Sequence, residues 1–450
     1  MAHQARLDQV NPVLNAMVME RREKALLQAS RSDAQPGDGT FHGVPCSIKE
    51  CFAFKGMPQS SGLLRRKDMI ADHNATAVQR YLDAGAVPLG VSNTSELCMW
   101  MESDNLVYGR TNNPYDASRT VGGSSGGEGA LVAAGAAPFG LGSDIGGSIR
   151  MPAFFNGVFG HKPSGGLVPG TGQHPIAEGK ALRYLSTGPI CRKAEDLWPL
   201  LRILAGPDGQ DSGCEPMELG DPSQVDISSL RILHIPDNGR QPVSQDLRDA
   251  QSRMAQALKA AGAQVEEIRI PAMKHGFDIW SSSLQEANGT PFTTLMGDGE
   301  PVSAVMELMR LGIGRPNHTL MACMLGMTES LTALVPWRTR RFVQMGLELK
   351  AELEERLGDD GVLLYPSYTM PAPKHGLAVR RQLRLSFDYA YTALLNIMEL
   401  PVTQVPLGLN AQGLPLGVQV GAAHGQDHLA VAVALWAEQE FGGWVPPWTR

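Results

Sequence analysis

Apolar residues recur at two spacings along the chain, and the alternation between them sets the first expectation. Helical spacing marks Val10 to about Ser30, ATAVQRYLDAG, GEGALVAAGA, AEDLWPLLRILAG, QDLRDAQSRMAQALKAAG and the closing HLAVAVALWAEQEF. Short apolar runs stand between and after them: GVPCSIKE, AVPLGVS, APFGLGSD, LRILHI, QVEEIRI, GVLLYPS, TQVPLG and GVQVGA. These read as strands. Helix–strand alternation with tight glycine turns predicts an α/β fold, a single large domain over residues 1–450 with a central mixed, mainly parallel β-sheet flanked by helices. From about Ala272 to Leu347 the texture changes to Met-rich helical segments such as AVMELMRLGIG and TLMACMLGM. Flexible methionines suit either ordinary helical core or a lid over an apolar channel, so residues 272–347 are expected to be a helical insertion.

Composition narrows the class. Hydrophobic residues at 43% and charged residues at 19% are the proportions of a globular protein. A net charge of −7 supplies no basic excess for nucleic acid, and none is expected as a partner. Six cysteines, Cys46, Cys51, Cys98, Cys191, Cys214 and Cys323, lack paired metal-type spacing and read as reduced, mostly buried thiols of a cytoplasmic protein. MAHQARLDQVNPVLNAM contains no basic segment followed by an apolar one, so no secretory signal is expected. No run reaches the ~18 apolar residues of a membrane span.

Fifty glycines matter through their placement. Two glycine-serine clusters, VGGSSGGEGAL at 121–131 and LGSDIGGSIRMP at 141–152, each stand at a turn beside a helix or strand. Glycines permit positive φ and close backbone approach, so consecutive N–H groups can converge on one point. In a hydrolase that point is the developing oxyanion. Ile145-Gly146-Gly147-Ser148 would set a nucleophilic hydroxyl at the end of its own run of N–H donors. A serine hydroxyl needs a base, and none of the eleven histidines stands in a triad motif. Lys49, at the end of the Pro-led run GVPCSIKE, offers an alternative: an amine desolvated inside a sheet and able to accept a proton. GGSSG also fits the G-x-S-x-G elbow, which leaves open Ser124 as the nucleophile of an α/β-hydrolase-like esterase. Phosphate binding is disfavoured, since neither cluster shows a Walker lysine or G-x-G-x-x-G.

VPCSIKE, GGSSGGEGAL and GSDIGGSIRMPAFFNGVFGHKPS together resemble the amidase-signature family, most closely its fatty-acid amide hydrolase type 2 branch and bacterial relatives. Further segments resemble the family in the expected order: VNPVLNAMV, SNTSEL, YGRTNNP, STGPICRKAEDL, YTALLNIMELPVTQVPLG and GLPLGVQVGA. The signature core would span about residues 40–170. The resemblance implies hydrolysis of carboxylic amides, with esters, anilides and carbamates also accessible, and no cofactor. It makes Ser148 the acylated nucleophile, Ser124 a bridging serine after a cis peptide bond from Gly123, and Lys49 the terminal base. Backbone N–H groups of Ile145, Gly146, Gly147 and Ser148 would hold the oxyanion, and Ser125, Asp144 and Arg150 would fix the two loops. Cys98, Met99 and Met101 would approach the acyl side, although plain core packing explains such residues equally well. Homodimers are common in the family, so a homodimer is a possible state.

Departures from the family pattern qualify these expectations. Glu50 follows the lysine where many members carry Asp, and Glu399 stands where Gly often precedes the late Leu-Pro. The branch's membrane anchor and a leading helix common in relatives are expected to be absent. A second family activity, the glutaminase-type subunit of a tRNA amidotransferase, remains an alternative. His424, Asp427 and His428 form an H-x-x-D-H cluster, but they stand where a helix begins, so capping and solvation are expected and no metal.

Overall fold

The core of the molecule is a sheet of eleven strands in this computed structural model, which describes residues 1–35, 37–287, 289–332, 335–383 and 387–448. Residues 288, 333 and 334 of the expected insertion lie outside the described residues. In chain order the strands are β1 (Met17–Glu20), β2 (Pro45–Lys49), β3 (Val87–Ser92), β4 (Phe139–Asp144), β5 (Phe159–Lys162) and β6 (Ser186–Cys191), then β7 (Arg231–His234), β8 (Gln264–Glu267), β9 (Gly361–Pro366), β10 (Val402–Leu409) and β11 (Pro415–Ala422). Their order across the sheet is β1-β3-β2-β4-β6-β5-β10-β11-β9-β7-β8. The mixed α/β sheet expected from the alternation is present. Its parallel pairs form two blocks, β3–β2–β4 and β9–β7–β8. Between them the neighbours are antiparallel, and antiparallel pairs outnumber parallel ones. Helical crossovers enforce the parallel blocks, whereas the short turn Asn410–Leu414 joins β10 to β11 as a hairpin.

The helices that frame the sheet and site are α1 (Ala2–Leu14), α2 (Arg22–Ala34), α3 (Thr76–Asp83), α4 (Gly126–Ala133), α5 (Arg150–Phe155), α6 (Leu197–Leu204), α7 (Gln245–Ala260), α8 (Gly276–Ala287), α9 (Ala304–Gly312), α10 (Leu320–Thr332), α11 (Pro336–Leu357), α12 (Ala390–Ile397) and α13 (Asp427–Phe441). The single helix expected from Val10 to Ser30 is instead α1, edge strand β1 and α2. Asn15 takes the left-handed conformation at φ 50°, and the Asn11 carboxamide accepts the N–H groups of Ala16 and Met17. That exit turns the chain into β1, which pairs with β3. Helical periodicity persists through MVME, so the pattern alone did not show the break.

Strands β2, β3 and β4 are buried on both faces, which explains their near-continuous apolar runs. Because β2 and β4 run parallel with Ile48 opposite Leu141, their carboxyl ends emerge side by side. Lys49 ends one and Asp144 the other. In the Met-rich region, Met296 and Met321 are buried, while α9 turns Val305, Met306, Met309 and Ile313 outward. No helix among the described residues is long and apolar enough to cross a membrane.

Candidate active site

Lys49 is wholly buried, and its Nζ lies 2.7 Å from Ser124 Oγ and 2.9 Å from Ser143 Oγ. Both hydroxyls belong to the glycine-serine clusters, and sequence reasoning identified the first but not the second. Ser143 sits inside the quoted GSDIGGS, yet only the β2–β4 pairing shows that it meets the lysine. The Gly123–Ser124 peptide is cis. Ser124 precedes α4 without a strand leading into it, and among the described residues no histidine hydrogen-bonds to it. The strand–turn–helix context that an α/β-hydrolase elbow requires is therefore missing.

The loop 145–148 is built by its outward carbonyls. Trp280 Nε1 donates to the Ile145 carbonyl at 2.8 Å, and Thr392 Oγ1 donates to the Gly146 carbonyl at 2.8 Å. In a trans peptide the carbonyl and the following N–H point oppositely, so fixing one aims the other. Gly147 has φ 116°, and a Cβ there would come within 2.2 Å of Thr392 Oγ1, which explains the glycine. The N–H of Gly147, expected to face an oxyanion, is taken by Asp144 Oδ1 at 2.7 Å. Among the described residues the N–H groups of Ile145, Gly146 and Ser148 have no such partner.

Asp144 organises this loop from below. Its carboxylate also accepts the Ile149 N–H at 3.1 Å and faces Arg150 through Nε at 3.0 Å and Nη2 at 3.1 Å. Arg150 is held in turn by Gln419 at 2.6 Å and Asn396 at 2.7 Å, and Asn396 donates back to the Asp144 carboxylate at 3.0 Å. Ser125 ties the clusters together: its Oγ donates to the Ser143 carbonyl at 3.2 Å, and its N–H to the Ser148 carbonyl at 3.2 Å. Ser103 braces the first cluster, donating to the Ser124 carbonyl at 3.1 Å. Asn396, Gln419 and Ser103 come from distant segments, so their spacing held no signal.

A cavity of about 540 Å³ opens above these loops, lined by Ser124, Ser148, Cys98, Met99, Trp280 and Phe277 among others. A smaller recess of about 40 Å³ beside Ser148 is lined by Cys98, Met99, Trp100 and Met101. All three expected acyl-side residues therefore line one or both spaces. Phe277 stacks on Phe387 with centroids 3.7 Å apart, forming one apolar wall with Trp280 and Tyr389. His424, Asp427 and His428 stand elsewhere and diverge. Asp427 is buried, accepting from the Ser164 N–H at 3.0 Å and facing His161 at 3.1 Å, while His424 faces the Gly165 carbonyl at 2.9 Å. Asp427 thus braces α13 against the segment after β5; it does not sit in solvent as expected.

The Amidase family profile matches residues 1–431 of the chain. The chain belongs to the amidase family. It is 46% identical to fatty-acid amide hydrolase 2-B of Danio rerio, an alignment covering 98% of this chain and 86% of the relative. The human fatty-acid amide hydrolase 2 is 44% identical, with 98% and 85% covered. A solved 6-aminohexanoate cyclic dimer hydrolase bound to its substrate superposes with a TM-score of 0.82 at 26% identity, over 98% of this chain and 92% of that one. The enzyme is an amidase-signature hydrolase of amides.

Electrostatics in this amidase follow burial and pairing. Burial raises the Asp144 carboxyl, but the Arg150 charge and its hydrogen bonds outweigh it and hold the group well below the usual carboxylate range. Burial lifts Glu128 to about 7, against hydrogen bonds from Ser47 and Ser92. Gly140 is glycine because that carboxylate occupies the place of its Cβ, 1.7 Å away.

Replacing Asp144 strips the partner from a fully buried guanidinium and should cost about 3–5 kcal/mol. Because its folded pKa is depressed, its contribution is complete above the unfolded value near ~4 and is lost as pH falls through the folded value. Thermal melts of wild type and Asp144→Asn should therefore differ most near neutral pH and begin to converge as pH falls below about 4. A gap that stays constant to pH 3 would contradict the pairing.

Proposed function

We propose that this amidase cleaves amide C–N bonds by acylating Ser148, with Ser124 relaying protons to and from Lys49. The contact of Lys49 Nζ with Ser124 Oγ at 2.7 Å, deep beneath a cavity that also opens onto Ser148, carries the reading. Neutral Lys49 takes a proton from Ser124 as Ser124 takes one from Ser148, whose oxygen attacks the carbonyl carbon. The oxyanion that forms faces the N–H groups of Ile145, Gly146 and Ser148. Each such donor supplies a few kcal/mol of transition-state stabilisation. The relay reverses to protonate the departing nitrogen, and water then releases the acyl group. Ser143, the second hydroxyl on Lys49, holds the amine in line.

Substrate class follows from the walls. The apolar lining of the larger space, to which Cys98 and Met99 contribute, supports a medium or long acyl group there. The narrow recess suits a small leaving group, which puts Met101 on that side and not on the expected acyl side. The fatty-acid amides in the names of the related fatty-acid amide hydrolases are consistent with that shape. Each buried CH₂ contributes about 0.8 kcal/mol, so kcat/KM for primary amides should rise roughly threefold to fourfold per carbon until the cavity is filled. A flat response from C4 to C14 would overturn the apolar acyl site. Helices α8, α10 and α11 of the expected insertion supply Phe277, Trp280, Leu325 and Arg338 to the lining, which supports reading them as a cover over this space.

The deciding experiment is fluorophosphonate labelling followed by peptide mapping. An adduct on Ser148 supports the reading; an adduct on Ser124 would replace it with the elbow mechanism.

A further inference from the structure

The hydrolytic mechanism leaves two arginines of the cavity lining without a task. Arg240, from the loop between β7 and α7, and Arg338, from the first turn of α11, both line the space that opens onto Ser148. They meet on one carboxylate. Arg338 Nη2 donates to Asp278 Oδ1 at 2.8 Å, and Arg240 Nη1 donates to Asp278 Oδ2 at 3.4 Å. Asp278 lies in the first turn of α8, two residues before the Trp280 that fixes the Ile145 carbonyl. Its side chain is 12% exposed, whereas those of Arg240 and Arg338 are 43% and 54% exposed. Ser148 is buried. The cavity therefore runs from a buried hydroxyl to a charged rim.

Charge at that rim does not cancel. Two guanidiniums share a single carboxylate, and each spends one N–H on it out of the five that the group carries. Among the described residues no other hydrogen-bond acceptor meets either guanidinium. Glu329, the other acid in the lining, turns both carboxylate oxygens to the Phe292 N–H, at 2.8 and 2.9 Å. Arg338 and Arg341 stand 5.6 and 5.8 Å from the centre of the Phe342 ring, which holds both on this side of α11. His275, 3.8 Å from Asp278, reports the same excess: burial lowers its pKa, and Lys274, Arg240 and Arg341 add to the lowering against the pull of Asp278.

We propose that Arg240 and Arg338 form a subsite for a carboxylate at the far end of the acyl chain, so that the enzyme takes monoamides of dicarboxylic acids. The chemistry at the other end of that chain rests on the hydrolytic reading above. Planar guanidinium forks match carboxylate geometry, and their free donors make charge-assisted hydrogen bonds that a methyl terminus cannot accept. Phe277, Trp280 and Leu325, in the lining between, take the methylenes. A chain too short to reach the rim strands its charge among apolar walls, which costs desolvation without a partner. A chain of matching length satisfies both ends. One that ends in an ammonium meets two like charges and is rejected.

The test compares primary monoamides of medium- and long-chain dicarboxylic acids with methyl-ended amides of the same lengths, on the full-length enzyme. At the matching length kcat/KM for the carboxylate-ended amide should be higher by about tenfold, through KM. Raising the salt concentration should shrink that ratio. Arg338→Glu should invert it and favour chains that end in an ammonium, and Arg338→Gln should lower it without inversion. Titration calorimetry of the same amides with Ser148→Ala should give the same order of affinity. A methyl-ended preference at every length, or a ratio that Arg338→Glu leaves unchanged, would overturn the subsite. Calorimetry needs no turnover, so a failure to hydrolyse any amide would overturn the hydrolytic reading alone.

Discussion

Ser148→Ala should lower amide turnover by about 10⁵-fold or more and abolish fluorophosphonate labelling, while the melting temperature changes by only a few degrees. The size follows from the proposed role: if Ser148 is the nucleophile, its loss prevents the acyl-enzyme and leaves the N–H donors and the relay no oxyanion or proton to act on. The small structural effect follows from the hydrogen bonds. Ser148 contributes its backbone carbonyl to Ser125, while the loop's shape depends on Asp144, Trp280 and Thr392. An alanine hydroxyl deletion leaves all of these in place. Turnover surviving within about tenfold of wild type would remove Ser148 from the chemistry and return attention to Ser124.

Lys49→Ala should cost about 10³–10⁴-fold on amides and less on esters of the same acyl group. An amine is a poor leaving group and needs its proton delivered in the transition state; an alkoxide from an activated ester needs less help. In the proposed relay Lys49, 2.7 Å from Ser124 Oγ, is the terminus from which that proton returns. Comparing kcat/KM for matched amide and ester across wild type and variant therefore isolates the relay. Equal losses on the two substrates would mean that Lys49 supports the site without moving a proton. Removing Lys49 also leaves Ser143 and Ser124 facing a void beneath the cavity, so circular dichroism and melting data should accompany the kinetics. Lys49→Met, which fills the same volume without an amine, serves as the second variant and should show the same amide–ester split.

Much of the site was legible because its parts lie in short contiguous runs. Ser124, Ser125, Asp144, Ser148 and Arg150 sit within two glycine-serine clusters, and Lys49 ends a strand whose apolar run is visible by eye. Asp144 and Arg150, six positions apart across a turn and the start of α5, can meet on local geometry alone, and they do. What the runs did not carry was the orientation of groups inside them. Gly147 was expected to donate its N–H toward an oxyanion, but Asp144 takes it, because the carboxylate caps the start of α5 from within the loop. The first helix was misjudged for a similar reason: one asparagine in a left-handed turn overrides a periodicity that continues through it.

The sequence by itself determined most element types, the mixed sheet between helices, the grouping of two serine loops and one lysine as a candidate site, and the family to which the chain belongs. Those follow from local propensity, from period and from motifs whose residues are neighbours along the chain. The tertiary structure decided which groups complete them. Ser143 reaches Lys49 only because β2 and β4 pair in parallel register. Trp280 and Thr392, from helices far along the chain, aim the N–H groups by fixing the carbonyls behind them. Such contacts depend on long-range packing, where burial and a satisfied hydrogen bond select the partner; their spacing along the chain carries no information about it.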